Sequence, residues 1–257
     1  MLKELAPTDH VTITISGLDS TIPMSEVNSI ENVDNSVSST NGNSTLLDSE
    51  KYGNYQITDN TSYPETIKME VGGQSFTLYL VKGGVFNMGY DGRHSLAMKS
   101  EPVHQVTLSS FYVSKKAVSK QLANMLLKSK NKNSKNPDDD YTTDDWEDAN
   151  KILKEIANIT HKPYRMLTEA EWEYTSLMPF ASQIFGEQKY CDWCYDFFDN
   201  FDKAPQTNPT GPLTGKLHVT RSFNGRLNKW DRFYSRTAPN WVGKSLVRIV
   251  IDANMVK

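Results

Sequence analysis

Alternating apolar and polar residues predict that the compact part of the chain begins with a β-hairpin. Apolar side chains occupy every second position in residues 67–71 and again in residues 76–80, and Gly72-Gly73 between them can turn. A second alternation covers residues 103–113 and predicts a half-buried strand. The first part of this domain should therefore be antiparallel sheet.

Helical spacing replaces the alternation farther along the chain. Apolar residues recur every third or fourth position over residues 118–126 and over residues 146–159. Thr143 is the predicted N-cap of the longer helix, and Pro163 should end it.

A short third helix should begin at Thr168. Thr168 and Glu171 form the capping-box pattern, in which a hydroxyl and a carboxylate bond to the first free amides. Glu169, Glu171 and Glu173 add negative charge at the positive end of this helix. Trp172 is the large apolar residue of the turn and should face the core.

The first 66 residues differ from the rest of the chain in amino-acid composition. Asn, Ser, Thr and Asp dominate from Asn28 to Ser62, and only Val11, Ile13 and Ile15 alternate as in a strand. We therefore predict a polar N-terminal arm or linker over residues 1–66 and one domain over residues 67–257.

Composition excludes several classes of protein. The net charge of −3 provides no general attraction to nucleic acid, and no apolar run is long enough to span a bilayer. The N-terminus lacks the apolar core of a signal peptide, so a secreted or cell-envelope location would require a signal that has been removed.

Two residue types invite a chemical role. Cys191 and Cys194 form a lone CxxC, which is compatible with structural thiols, a disulfide or redox pair, or a metal site. His104 could be a ligand or an acid–base group, or an edge-strand histidine held by a neighbour.

The motifs resemble, in order, those of the formylglycine-generating enzyme family, also called the sulfatase-modifying-factor domain. The stretch RMLTEAEWEY resembles the family string RLPTEAEWEYA, and further strings match at 83–89, 101–111, 146–149, 208–221 and 248–250. The resemblance assigns a structural signature to Trp146, Arg165, Thr168, Glu169, Glu171, Trp172, Trp193, Arg221 and Arg248. It implies an α+β, C-type-lectin-like domain with two main helices, short twisted antiparallel strands and long ordered loops.

The family's chemistry is less well matched than its fold. Catalytic members bind copper with a cysteine pair, and soft thiolates suit Cu(I). The corresponding residues here, 224–239, contain no cysteine. The family's calcium ligands lie largely in a segment that this chain lacks and at an asparagine that Lys189 replaces. We therefore expect no cofactor, with copper or calcium present only if the protein is an enzyme.

The same region is rich in residue types that dominate binding surfaces. The candidate ligand-binding residues are Arg226, Asn228, Trp230, Arg232, Tyr234, Arg236, Asn240 and Trp241. Alternatively, the tryptophans are core residues and the arginines pair with nearby carboxylates.

Two functions follow from the resemblance. The first is a non-catalytic binding or structural module that uses its lectin-like loops to engage a protein or glycan, without nucleic acid. The second is a divergent copper-dependent oxygenase that converts a cysteine of a sulfatase-type substrate to formylglycine, with Cys191 and Cys194 moved to the site. The sequence leaves the oligomeric state open.

Overall fold

The computed structural model describes residues 10–15, 18–23, 55–89, 100–128, 136–186, 190–222 and 244–256. The chain divides into two compact units, Met1–Asn43 and Ser44–Lys257. In the first unit, strands β1 (His10–Ile15) and β2 (Leu18–Pro23) pair as an antiparallel hairpin. The single strand predicted from the alternation at residues 11–15 thus has a partner in the next segment.

The second unit contains the predicted hairpin within a four-stranded antiparallel sheet, ordered β14-β8-β5-β4. Its strands are β4 (Thr66–Val71), β5 (Gln74–Val81), β8 (Phe111–Ser114) and β14 (Val250–Asp252). The C-terminal strand therefore pairs beside strands from the start of the domain.

A second sheet is ordered β11-β7-β6-β3. Its strands are β3 (Tyr55–Ile57), β6 (Gly84–Met88), β7 (His104–Leu108) and β11 (Gln206–Thr207). The single strand predicted over residues 103–113 is two strands in the structure, β7 and β8 (Phe111–Ser114). The extended conformation is interrupted at Ser109-Ser110, where the Ser110 hydroxyl accepts a hydrogen bond from the Gly83 amide at 2.8 Å. Strand β3 lies N-terminal to the domain boundary that we predicted at residue 67, and its Tyr55 packs edge-on against Tyr174.

The third sheet is ordered β12-β10-β13-β9 and mixes antiparallel with parallel pairing. Its strands are β9 (Thr142–Thr143), β10 (Asp192–Phe197), β12 (His218–Arg221) and β13 (Ser245–Leu246). This sheet carries the residues on both sides of the predicted ligand-binding stretch.

Four helices lie in the described part of the chain: α1 (Lys120–Leu126), α2 (Trp146–Thr160), α3 (Glu169–Ser176) and α4 (Ala181–Phe185). The cap predicted for α2 was wrong. Asp145, whose side chain accepts the Glu147 amide, is the N-cap, whereas Thr143 belongs to β9. Ile159, predicted to lie on the apolar stripe, is half exposed because α2 ends at the left-handed His161 just beyond it.

The buried side chains form two clusters. One lies between the β4–β5 hairpin and helices α1 and α2, with Phe76, Leu122 and Ile152 fully buried. The other surrounds α3 and α4 and includes Phe86, Trp172 and Phe185. Helix α3 is therefore the central element of the second cluster.

All eight residues of α3 are buried, although three of them are glutamates. The predicted capping box is present: the Glu171 amide donates to the Thr168 hydroxyl at 3.2 Å, and the Thr168 amide donates to the Glu171 carboxylate at 2.9 Å. A buried carboxylate requires a charged or strongly hydrogen-bonding partner. The helix therefore depends on partners from elsewhere in the chain.

Arg221 in β12 supplies the main partner. Its Nη1 donates to Glu169 at 3.0 Å and its Nη2 to Glu173 at 2.7 Å, and all three side chains are at most 4% exposed. The guanidinium also lies 5.1 Å from the centre of the Trp172 ring. Glu173 accepts a further bond from the Gly89 amide at 3.0 Å, so the pair joins α3 to two sheets.

Two other arginines bind carboxylates around α3. Arg165 forms two bonds of 2.7 Å with Glu171 and also contacts Asp252 of β14. The Arg248 Nε donates to Asp192 at 3.1 Å. Arginine suits these positions because its planar guanidinium bonds carboxylates in a fixed fork geometry.

Asp196 on β10 differs from these carboxylates because no arginine of the described residues forms an ion pair with it. Its oxygen accepts the Glu169 amide at 2.8 Å. Burial, together with the negative charge of Glu169, raises the pKa of Asp196 to about 8. Asp196 is therefore a protonated acid in the folded protein at neutral pH.

Replacement of Trp172 by alanine should lower the free energy of unfolding by about 3–5 kcal/mol, because a large side chain that is 2% exposed leaves a cavity. Urea denaturation measures this change. Leu213→Ala is the control, since Leu213 is 94% exposed. A loss for Trp172→Ala as small as that of the control would contradict a core position.

Arg221→Met should destabilise the protein by about 3–5 kcal/mol at neutral pH, because Glu169 and Glu173 would be left buried without a cation. The loss should shrink at acidic pH, where these carboxylates take up protons. Lys120→Met is a control for removing an exposed ion pair, since Lys120 and Asp139 are both solvent-exposed, and it should leave stability unchanged. A loss for Arg221→Met that is the same at both pH values would contradict the charge argument.

The raised pKa of Asp196 predicts a pH dependence of stability. The folded protein retains a proton that the unfolded chain releases near its ordinary pKa of 3.8, so stability should fall as the pH rises from about 4 to about 8. The slope is at most about 1.4 kcal/mol per pH unit. Asp196→Asn removes this titration, so the variant's stability relative to the natural protein should increase across that window. A constant difference, measured by urea denaturation at several pH values, would refute the assignment.

Candidate functional site

The eight candidate ligand-binding residues predicted from the sequence, Arg226 to Trp241, lie outside the described residues. Their arrangement remains a prediction. The structure does describe the residues that precede and follow them, and these define how residues 223–243 join the domain.

The strands that precede and follow this stretch both pair with Asp192. On one side, Arg221 of β12 pairs with Asp192 in antiparallel register. On the other, Leu246 of β13 pairs with the same residue in parallel register, and its amide donates to the Cys191 carbonyl at 2.7 Å. Residues 223–243 therefore connect two strands that flank β10.

The base of this connection is buried and charge-paired. The Asp192 side chain is fully buried and accepts bonds from the Arg248 Nε and the Trp172 Nε1, each at 3.1 Å. Arg248 also donates to the carbonyls of Ser114 and Lys115. We call this group, with Arg221, the anchoring cluster. It restrains both strand ends through side chains as well as backbone bonds.

The structure brings most of the structural-signature residues to this region. Thr168, Glu169, Glu171, Trp172, Arg221 and Arg248 lie on or around α3, and Arg165 lies on the other side of its first turn. The two remaining tryptophans bind the backbone of the third sheet. The Trp193 Nε1 donates to the Thr143 carbonyl at 3.0 Å and the Trp146 Nε1 to the Cys194 carbonyl at 2.9 Å.

The sequence interpretation missed Asp192. The signal that could have identified it is the alternation of Asp192, Cys194 and Asp196, which places these residues on one face of β10. That face packs on α3, where the Trp172 indole and the Glu169 amide bind the two aspartates.

The two thiols lie on opposite faces of β10. Cys194 is fully buried on the α3 side, near Arg221. Cys191 immediately precedes β10, and its thiol hydrogen-bonds with Ser222 and Thr220, which alternate with Arg221 and so lie on the opposite face from it. Neither thiol forms a disulfide. Burial raises the pKa of Cys191 to about 11 and the pKa of Cys194 well above its ordinary value.

These thiols do not fit the family's copper site. Two copper ligands must converge on one point, whereas Cys194 lies beside Arg221 and Cys191 bonds with Ser222 and Thr220, which alternate with Arg221 along the chain. In the described residues, no three His, Cys, Asp or Glu side chains are grouped so as to hold a metal ion. Lys189, at the family's calcium-ligand position, lies outside those residues.

Two clefts open on either side of the start of α3. The first, the acidic cleft, has a volume of about 530 Å³ and is lined by Glu169, Asp196, Asp199 and Asp202, among others. The second, the Arg165 cleft, has a volume of about 680 Å³ and lies between Arg165, Tyr195 and the C-terminal turn at residues 253–255. Neither cleft could be predicted from the sequence, because the walls of each come from segments far apart along the chain.

His104 lies at the wall of the acidic cleft. It is 5% exposed, its Nδ1 donates to the Pro102 carbonyl at 3.1 Å, and its ring packs 5.0 Å from that of Phe201. These contacts match a histidine held by its neighbours rather than a ligand, although β7 is an inner strand and not an edge.

None of the helices in the described part of the chain is both long and apolar enough to cross a bilayer.

Comparisons with known proteins identify the domain. Residues 68–191 match the family model described as a sulfatase-modifying factor enzyme 1-like domain. No curated protein matches the chain in sequence. Treponema denticola variable protein 1 has a similar structure, with 14% identity, a TM-score of 0.55, and coverage of 74% of this chain and 99% of that chain.

A second similar structure is PvdO from Pseudomonas aeruginosa, with 16% identity and a TM-score of 0.57, covering 75% of this chain and 99% of the other. Identities this low establish a shared fold and leave activity open. The family match over residues 68–191, together with these two structures, shows that the chain is similar to the sulfatase-modifying-factor family and has its C-type-lectin-like fold.

Proposed function

We propose that this protein is a non-catalytic binding module that presents residues 223–243 to a protein or glycan ligand. The observation that carries the proposal is the position of the thiols. Cys191 and Cys194 lie on opposite faces of a strand, and the stretch that holds the copper-binding pair in catalytic members contains no cysteine. The described residues therefore offer no converging thiolate pair of the kind that copper-dependent oxidation of a cysteine requires.

The anchoring cluster supports a recognition role. Binding gains affinity when a recognition segment is restrained before it meets its ligand. Arg221 and Leu246 are buried and paired to the same residue of β10, so both ends of residues 223–243 start from fixed points. Between those points the sequence supplies Trp230, Tyr234 and several arginines, which are the types that most often dominate binding energy.

The net charge of −3 argues against nucleic acid as the ligand, since such binding draws its affinity from neutralised phosphates. The secreted or cell-envelope location suggested above belongs to this proposal and would suit a lectin-like surface.

The catalytic part of the proposal can be tested directly. The protein is loaded with Cu(I), and the metal retained after gel filtration is measured by mass spectrometry. A cysteine-containing sulfatase peptide is then incubated with the loaded protein and analysed for the mass loss of formylglycine formation. We expect the natural protein to retain no more copper than the Cys191→Ser and Cys194→Ser variants. We also expect no conversion of the peptide's cysteine to formylglycine. Formylglycine formation would overturn the proposal.

The binding part needs its own probes, because the ligand is not identified. A glycan microarray and a displayed peptide library should each be screened with the natural protein and with the double variant Trp230→Ala/Tyr234→Ala. We expect at least one probe whose affinity falls tenfold or more in the variant and is unchanged in Leu213→Ala. Binders that are insensitive to the double variant, or the absence of any binder, would contradict recognition by this stretch.

A further inference from the structure

The Arg165 cleft is a second candidate site, separate from residues 223–243. It lies between the start of α3, β10 and the C-terminal turn, and its volume of about 680 Å³ is within the range of small-molecule sites. Its described lining contains no residue of the anchoring cluster. The nearest approach along β10 is Tyr195, three residues from Asp192.

The charge of the cleft limits what can bind. Its described lining includes three carboxylates, Asp59, Glu171 and Asp252, and one cation, Arg165. Arg165 is already committed, since both of its terminal nitrogens donate to Glu171 and one also contacts Asp252. It therefore has little capacity to capture a ligand anion, and the uncompensated carboxylates repel phosphates, sulfates and sugar acids.

Asp59 reinforces this negative charge. Burial alone would raise the pKa of Asp59, but hydrogen bonds from Ser110 and Thr61 outweigh that effect and hold the pKa below its ordinary value. The carboxylate is therefore ionised and can accept hydrogen bonds from hydroxyl groups of a ligand.

The remaining polar groups of the cleft suit a ligand that both donates and accepts hydrogen bonds. Asn208 is fixed by two bonds to Ser109: its oxygen accepts the Ser109 amide at 2.8 Å and its nitrogen donates to the Ser109 hydroxyl at 3.0 Å. A carboxamide has two donor hydrogens and two lone pairs, so one of each is left for a ligand. Asn254, on the C-terminal turn, adds a second exposed amide.

Tyr195 supplies an apolar surface at the cleft. Its ring is 46% exposed and is supported edge-on by Trp146 at 6.2 Å, while its backbone amide bonds to the Leu167 carbonyl. Tyr63 also lines the cleft and is half-buried against the core. Tyrosine rings held in this way offer an apolar body with a polar end, which matches the apolar C–H faces and hydroxyl rims of sugars.

We propose that the Arg165 cleft binds an uncharged or amine-bearing sugar, with Tyr195 contacting the ring face and Asn208, Asn254 and Asp59 bonding the hydroxyls. The proposal does not depend on residues 223–243, so it can hold or fail independently of the function proposed above.

Saturation-transfer difference NMR with the full chain tests this site. The probes are galactose, glucose, N-acetylglucosamine and glucosamine, with glucuronate as the anionic counterpart. We expect saturation transfer to at least one of the first four and none to glucuronate. Transfer to none of the four, or equal transfer to glucuronate, would overturn the proposal.

Matched variants locate the binding. Tyr195→Ala and Asn254→Ala should each weaken it at least fivefold, whereas Tyr190→Ala and Asn200→Ala, which alter an exposed tyrosine and an exposed asparagine outside the cleft, should not. Trp230→Ala/Tyr234→Ala should also leave it unchanged. Asp59→Asn should reduce the discrimination against glucuronate. Equal losses in the cleft variants and in their controls would refute the site.

Discussion

The salt bridges between Arg221 and the glutamates Glu169 and Glu173 are the interaction on which this domain most depends. A helix with three acidic residues in eight would normally present that charge to water, yet α3 is buried along its whole length. Burial is tolerable because Arg221 lies between two of the carboxylates and the capping box and Arg165 satisfy the third. Arg221 comes from β12, so the helix can occupy this position only when the third sheet has formed.

The same charges organise the surroundings of α3. Arg248 and Trp172 bind Asp192 from two directions, and Asp192 pairs with both strands that lead into and out of residues 223–243. Hydrogen-bonded charges in a buried network restrain one another, since a carboxylate that lost its arginine would bear the full penalty of desolvation. The domain thus combines a rigid base with a long connection whose sequence is rich in recognition residues.

The chain differs in the position of its cysteines from the copper-binding enzymes that its motifs resemble. A CxxC places its thiols three residues apart, and on a strand that spacing directs them to opposite faces. On a helix or in a turn the same motif could converge on a metal ion. The extended conformation of β10, which begins immediately after Cys191, therefore separates the two thiols, and burial raises the pKa of each.

Several features could be read from the sequence because they depend on neighbours along the chain. The β4–β5 hairpin follows from alternation around Gly72-Gly73, the capping box from Thr168 and Glu171, and the resemblance to the family from short motifs in a fixed order. The N-cap of α2 was misassigned to Thr143, since Thr143 and Asp145 are both good caps and pairing with β13 takes Thr143 into a strand.

Tertiary structure alone decided the burial of the glutamates, the role of Asp192, the raised pKa of Asp196 and both clefts. Each depends on contacts between residues far apart in sequence, such as Arg221 with Glu169 or Arg165 with Asp252. Local pattern records which residues are apolar or charged and how they are spaced. The local pattern does not record which distant group will exclude water from a carboxylate or which cation will lie beside it. Those two facts set the energetic cost of burying the carboxylate and its protonation state.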